Sequence, residues 1–106
     1  MAKYLIKGSY TIEGTKGLLK EGGTRRQEMI TNLIKNLGGN LECFYYTIGE
    51  DDIVAIFEVP DRKSALALSM AVTAGGGANV SLTELIDPSE IDEAAKITVG
   101  YRPPGD

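Results

Sequence analysis

The stretch LECFYYTIGEDDIVAIFEVPD, residues 41–61, decides the fold. Two runs rich in aromatic and β-branched residues, Leu41–Ile48 and Asp52–Val59, flank a short polar segment around Gly49, Glu50 and Asp51. Such runs read as strands, and so short a gap joins them as an antiparallel hairpin. Pro60 ends the second run because it has no N–H to give a ladder. Asp61 then stands where a helix over Arg62–Thr73 needs a cap. The consecutive acids Glu50, Asp51 and Asp52 suit a solvated turn, where Gly supplies unusual dihedrals and Asp bonds nearby backbone. A calcium or magnesium site needs about six oxygens spaced through a loop, and adjacent side chains diverge.

Upstream, Lys3–Tyr10 (KYLIKGSY) alternates and reads as a first strand. A polar, glycine-punctuated connection follows, TIEGTKGLLKEGG, with room for a helical turn over 17–20. Thr24 to Gln27 has the form of a capping box. Met29, Ile30, Leu33, Ile34 and Leu37 then recur at helical spacing, and Gly38-Gly39 ends that helix. Downstream, Gly75-Gly76-Gly77 ends the second helix and Val80–Ile86 reads as a fourth strand. Asp87-Pro88-Ser89-Glu90 has the form of a last helix start. The order β-α-β-β-α-β plus a helix predicts an α+β, ferredoxin-like plait: a four-stranded antiparallel sheet with two helices on one face. One domain over residues 1–97 and an extended tail over 98–106 are expected.

The totals fit a single soluble domain: 106 residues, 42% hydrophobic and 25% charged. A net charge of -4 argues against nucleic-acid binding, which needs a surplus of Lys and Arg on one surface. No apolar run approaches a membrane span. With one cysteine, Cys43, no intrachain disulfide is possible. That and the lack of a leader suggest a reducing, cytoplasmic setting. The absence of histidine excludes His-ligated metals and every Ser-His or Cys-His nucleophile pair. No cofactor is implied.

Strand parity raises a further question. In the third strand Ile53, Ala55, Phe57 and Val59 are apolar, yet so are Val54 and Ile56 on the opposite parity. In the second, Phe44, Tyr46 and Ile48 share one side, with Leu41, Cys43, Tyr45 and Thr47 on the other. Helices can cover only one face, and a large exposed apolar face marks an association surface. A second copy of the chain, pressed sheet to sheet about a two-fold axis, is the expected partner.

Taken together, LGGNLECFYYTIGEDDIVAIFEVPD, the small-residue helix after it and AGGGANVSLTELI resemble the GYD-domain family over roughly residues 3 to 97. The resemblance rests on Gly38-Gly39, Phe44-Tyr45-Tyr46, Gly49 and Asp52, Pro60-Asp61, and Asn79-Val80. It implies the dimeric α+β barrel superfamily, in which two plaits pair through their sheets. The family pattern is Gly-x-Tyr-Asp, and here Asp51 replaces the tyrosine, so no role for that phenol carries over. Asp52 matches the pattern and is the acid expected to make a fixed hydrogen bond.

Four strand residues are the ligand-binding candidates: Lys7, Tyr45, Thr47 and Glu58. If the sheets pair, some of them face the space between, where a buried Lys or Glu must pair or shift its pKa. Otherwise Lys7 snorkels to the rim and Glu58 ends a strand. Arg25 and Arg26 open the first long helix, as a solvated pair or, with the helix N-terminus, as an anion site. The glycine run 75–77 follows a helix instead of preceding one, so it is no phosphate loop. Cys43 and the tyrosines Tyr4, Tyr10, Tyr45 and Tyr46 read as packing residues. The favoured function is an oligomeric small-molecule-binding or regulatory module, holding a small hydrophobic ligand near the sheet–sheet cavity. The alternatives are a cofactor-independent oxygenase or isomerase, using Lys7, Tyr45 or Glu58 for proton transfer, and a structural assembly protein whose tail reaches a neighbour.

Overall fold

The computed structural model describes all 106 residues. In chain order it contains β1 (Ala2–Tyr10), α1 (Ile12–Glu21), α2 (Gly23–Asn36), β2 (Asn40–Tyr46), β3 (Ile53–Val59), α3 (Arg62–Ala74), β4 (Ala78–Leu85) and α4 (Pro88–Ala95). The strands form one antiparallel sheet in the order β2-β3-β1-β4. This is the ferredoxin-like plait, with the 41–61 hairpin as β2 and β3 and the C-terminal helix appended.

The helix-facing side of the sheet is set by Tyr4 and Ile6 of β1, Phe44 of β2 and Ala55, Phe57 and Val59 of β3. Ile34 of α2 and Ala65 and Leu68 of α3 complete this core. Phe57 and Val59 are fully buried, each worth about 1.5–3 kcal/mol by removal from water. Tyr4 stacks on Phe57 across the β1–β3 pairing, with ring centroids 5.8 Å apart. Asp61 caps α3 as its position implies: its carboxylate accepts from the Ser64 N–H and hydroxyl, both at 2.9 Å.

The connection after β1 is more ordered than its glycines suggest. Instead of one turn over 17–20 it is a ten-residue helix, α1. Thr11 starts it by accepting from the Gly14 N–H at 3.1 Å. Gly14 marks a close approach: a Cβ there would overlap the Gly77 carbonyl oxygen. The Thr24 capping box does not form. Gly22 (φ +88°) is the C-cap of α1 and the N-cap of α2 at once, and no side chain caps α2.

Two strand expectations also shift. The β2–β3 connection runs from Thr47 to Asp52, longer than a tight hairpin turn. A bulge between Leu41 and Cys43 changes the face of Leu41, which pairs with Phe57 and packs against the core, not beside Cys43 and Tyr45. No helix is long and apolar enough to cross a membrane.

Candidate functional site

The two sheet faces differ in kind. The open face carries Lys3, Leu5 and Lys7 of β1, Cys43 and Tyr45 of β2, Val54, Ile56 and Glu58 of β3, and Ser81 and Thr83 of β4. Leu5 sits between Ile56 and Thr83, and Ile56 also pairs with Cys43, so a half-buried apolar band crosses the middle strands. No helix covers it. One end is charged: Lys3 lies 3.3 Å from Glu42 and 3.6 Å from Glu58. The Glu42 hydrogen bond and charge, with help from Glu58, raise the Lys3 pKa and keep it cationic.

Three of the four candidate ligand residues, Lys7, Tyr45 and Glu58, lie on this face. Lys7 and Tyr45 are exposed, and Glu58 is half-buried in the Lys3 pair. Thr47 is separate: it closes the hairpin, its N–H donating to the Asp52 carbonyl at 2.8 Å and its hydroxyl to the Asp51 carbonyl. None of the four lines the pocket described next.

Asp52 makes the fixed hydrogen bond expected of it. Its carboxylate accepts from the Tyr10 N–H at 2.8 Å, and its own N–H donates to the Gly8 carbonyl at 2.8 Å. The hairpin connection is thereby tied to the end of β1, and the main chain at Tyr10 is held. That residue opens the helix-side pocket.

The pocket has a volume of about 360 Å³ and lies among α1, α2, the end of α3 and the ends of β1 and β4. Leu18, Leu33, Ala71, Val72 and Ala78 give it apolar walls; Tyr10, Glu21 and Arg26 are its polar members. Beneath it lies a smaller void of about 50 Å³, lined almost wholly by apolar side chains. Tyr10 and Arg26 line both spaces and so stand at the junction between them. Burial, and then the neighbouring Tyr46, push the Tyr10 phenol up to about 12, against a weaker opposing effect of Arg26. It is therefore a neutral hydrogen-bond donor at ordinary pH. Arg26 is one-third exposed, and its nearest carboxylate, Glu21, stands at 3.9 Å, too far for a hydrogen bond. Tyr46 braces the rim by donating its hydroxyl to the Gly23 carbonyl at 3.0 Å.

The GYD domain model matches residues 4–95. The chain belongs to the GYD-domain family. No curated protein and no solved structure matches it. Asp52, which carries part of the family resemblance in the hairpin, thus holds the main chain of Tyr10, a residue that lines this GYD domain's pocket. Its other polar members were obscured in the sequence. Tyr10 looked like any packing aromatic, and Glu21 fell in a supposed loop. Arg26 did leave a signal: it is in helical phase with Ile30, Leu33 and Leu37, whereas Arg25 is not. No three His, Cys, Asp or Glu side chains converge as metal ligands.

Proposed function

We propose that this GYD domain is an oligomeric small-molecule-binding module, with two copies pairing through their open sheet faces as in the dimeric α+β barrel superfamily. The observation that carries ligand binding is the two-tier pocket, with apolar walls and a few converging polar groups on rigid elements. Its position moves the ligand seat from the space between sheets to the space between sheet and helices. Lys7, Tyr45 and Glu58 then serve the pairing surface. The pocket holds no nucleophile–base pair, so binding is favoured over catalysis.

Surface area supports the oligomer. A compact monomer of this mass exposes about 5,800 Å², whereas this chain exposes 7585 Å². The excess, to which the wholly exposed segment 86–106 contributes, is larger than the roughly 800 Å² that each partner buries in a standard interface. Native mass spectrometry of freshly purified protein tests both parts. A dimer or multiple of it carrying a small adduct is the expected result. A bare monomer at micromolar concentration refutes the proposal.

The assembly reading has one observation of its own. From Ile86 to Asp106 every residue is exposed, including Ile91, Ile97, Val99 and Tyr101, and α4 packs substantially against no other element. The Cα radius of gyration is 17.4 Å, against about 13 Å for a compact domain of this length. An apolar arm that leaves its own domain suits a neighbouring copy. Deleting residues 87–106 separates the readings: a dimer that persists and still binds shows the arm to be dispensable to both.

A further inference from the structure

The pocket's polar members specify what kind of molecule it takes. This inference rests on the small-molecule reading above and extends it to the ligand's charge.

We propose that the pocket binds a monoanionic carboxylic acid with an apolar body, its carboxylate held by Arg26 and Tyr10 and its body lying along Leu18, Leu33 and Val72. Arg26 is the cation lining both tiers of the pocket. Its guanidinium offers five N–H donors in a planar fork that matches a carboxylate. At 3.9 Å, Glu21 supplies charge without occupying that fork. A ligand carboxylate at hydrogen-bond distance gains what Glu21 does not provide, and charge-assisted bonds of this kind are the stronger ones.

Tyr10 adds the second donor. Its main chain is anchored by Asp52, so the side chain is presented from a tethered strand end. A phenol held neutral can donate to an anion and cannot repel it. Nothing apolar is wasted: the walls away from Arg26 are Leu, Val, Ala and Gly, which match a hydrocarbon body and offer no partners to a second polar head. Glu21 acts as a place-holding counter-ion. It partly neutralises Arg26 while the site is empty, and it opposes the bound anion.

That last point makes the charge assignment testable. The probes are octanoate, 1-octanol and octylammonium, which share a chain and differ in head charge. Binding to the full-length protein is followed by calorimetry and thermal shift, well below the concentration at which the probes aggregate. Octanoate should bind about tenfold or more tightly than either counterpart. Arg26→Met, which keeps an apolar stem, should abolish that preference. Glu21→Gln should strengthen octanoate binding.

Equal or tighter binding of 1-octanol overturns the charge assignment and leaves the pocket reading standing. Tightest binding of octylammonium, lost in Glu21→Gln, also overturns it. Octanoate binding indifferent to Arg26→Met places the anion elsewhere and refutes the proposal. If no probe binds, the proposal fails together with the pocket reading.

Discussion

Replacing Gly14 by alanine should destabilise the protein, although helix propensity alone argues the opposite. Gly14 lies inside α1, where alanine is the better helix former by about 0.5–1 kcal/mol. Its α-carbon, however, faces the glycine turn after α3, and a Cβ would overlap the Gly77 carbonyl oxygen. That oxygen is held. It accepts from the Thr11 N–H at 3.0 Å, while the Gly76 carbonyl beside it accepts from the Thr11 hydroxyl at 2.8 Å. The clash is relieved only if α1 lifts from the turn, weakening both bonds. Overpacking of this sort costs about 1–3 kcal/mol. After the propensity gain, the net loss is about 0–2.5 kcal/mol, toward the upper end because the obstructing atom is a hydrogen-bonded backbone oxygen.

Gly17, one turn later on the same helix, is the internal control. A Cβ there meets nothing within 4 Å, so Gly17→Ala should gain about 0.5–1 kcal/mol. Urea unfolding at fixed protein concentration reads both, as midpoint changes at constant slope. For a domain this small, 1 kcal/mol is roughly 4–8 °C in melting temperature, so shifts of opposite sign are easily resolved. If both variants stabilise alike, α1 does not press on the 75–77 turn, and the pocket wall is misplaced.

Three further results are expected. Asp52→Ala should cost about 1.5–3 kcal/mol, because it removes the carboxylate that receives the Tyr10 N–H; hydrogen exchange at the Tyr10 amide should accelerate, and unchanged exchange would remove Asp52 from its anchoring role. The Ser64 N–H and then its hydroxyl hold the Asp61 carboxyl below the usual range. Its contribution is therefore present above the unfolded carboxylate value near ~3.9 and lost as pH falls through its own lower value. Asp61→Asn should flatten that acid limb of the stability profile. The Tyr10 phenol, at about 12, favours the folded state below the unfolded value near ~10. Stability should fall as pH rises between them, and Tyr10→Phe should make that slope shallower in alkaline denaturation curves, the raised Tyr4 and Lys3 keeping the rest.

Most of the fold was legible because local rules agreed with one another. The 41–61 hairpin, the Asp61 cap, the Gly38-Gly39 stop and the Pro88 helix start each combine a periodic run with the residue that ends or begins it. Where one signal had to carry two meanings, the reading slipped. Glycines in 12–23 punctuate a loop by rule, yet Gly14 and Gly17 lie within α1. Packing against the 75–77 turn requires a residue without a Cβ at Gly14, and this outweighs its poor propensity. The Leu41–Cys43 bulge was equally invisible, since a one-residue slip changes a face without changing composition.

The same error concealed the helix-side pocket. With 12–23 read as a connection, α2 had no helix before it, and the cations at its start read as a solvated pair or, with the helix N-terminus, as an anion site. Adding α1 places Leu18 and Glu21 opposite α2 and encloses Arg26, while Arg25 stays exposed. Arg26 thus became a pocket residue through a tertiary contact, although its phase with Ile30 and Leu33 already set it on the inward side of α2. An arginine on the apolar stripe of a helix, beside a glycine-broken segment of uncertain structure, is evidence for a missing wall. Here that wall is α1, and it turns an apparently solvated cation into one facing an apolar cavity.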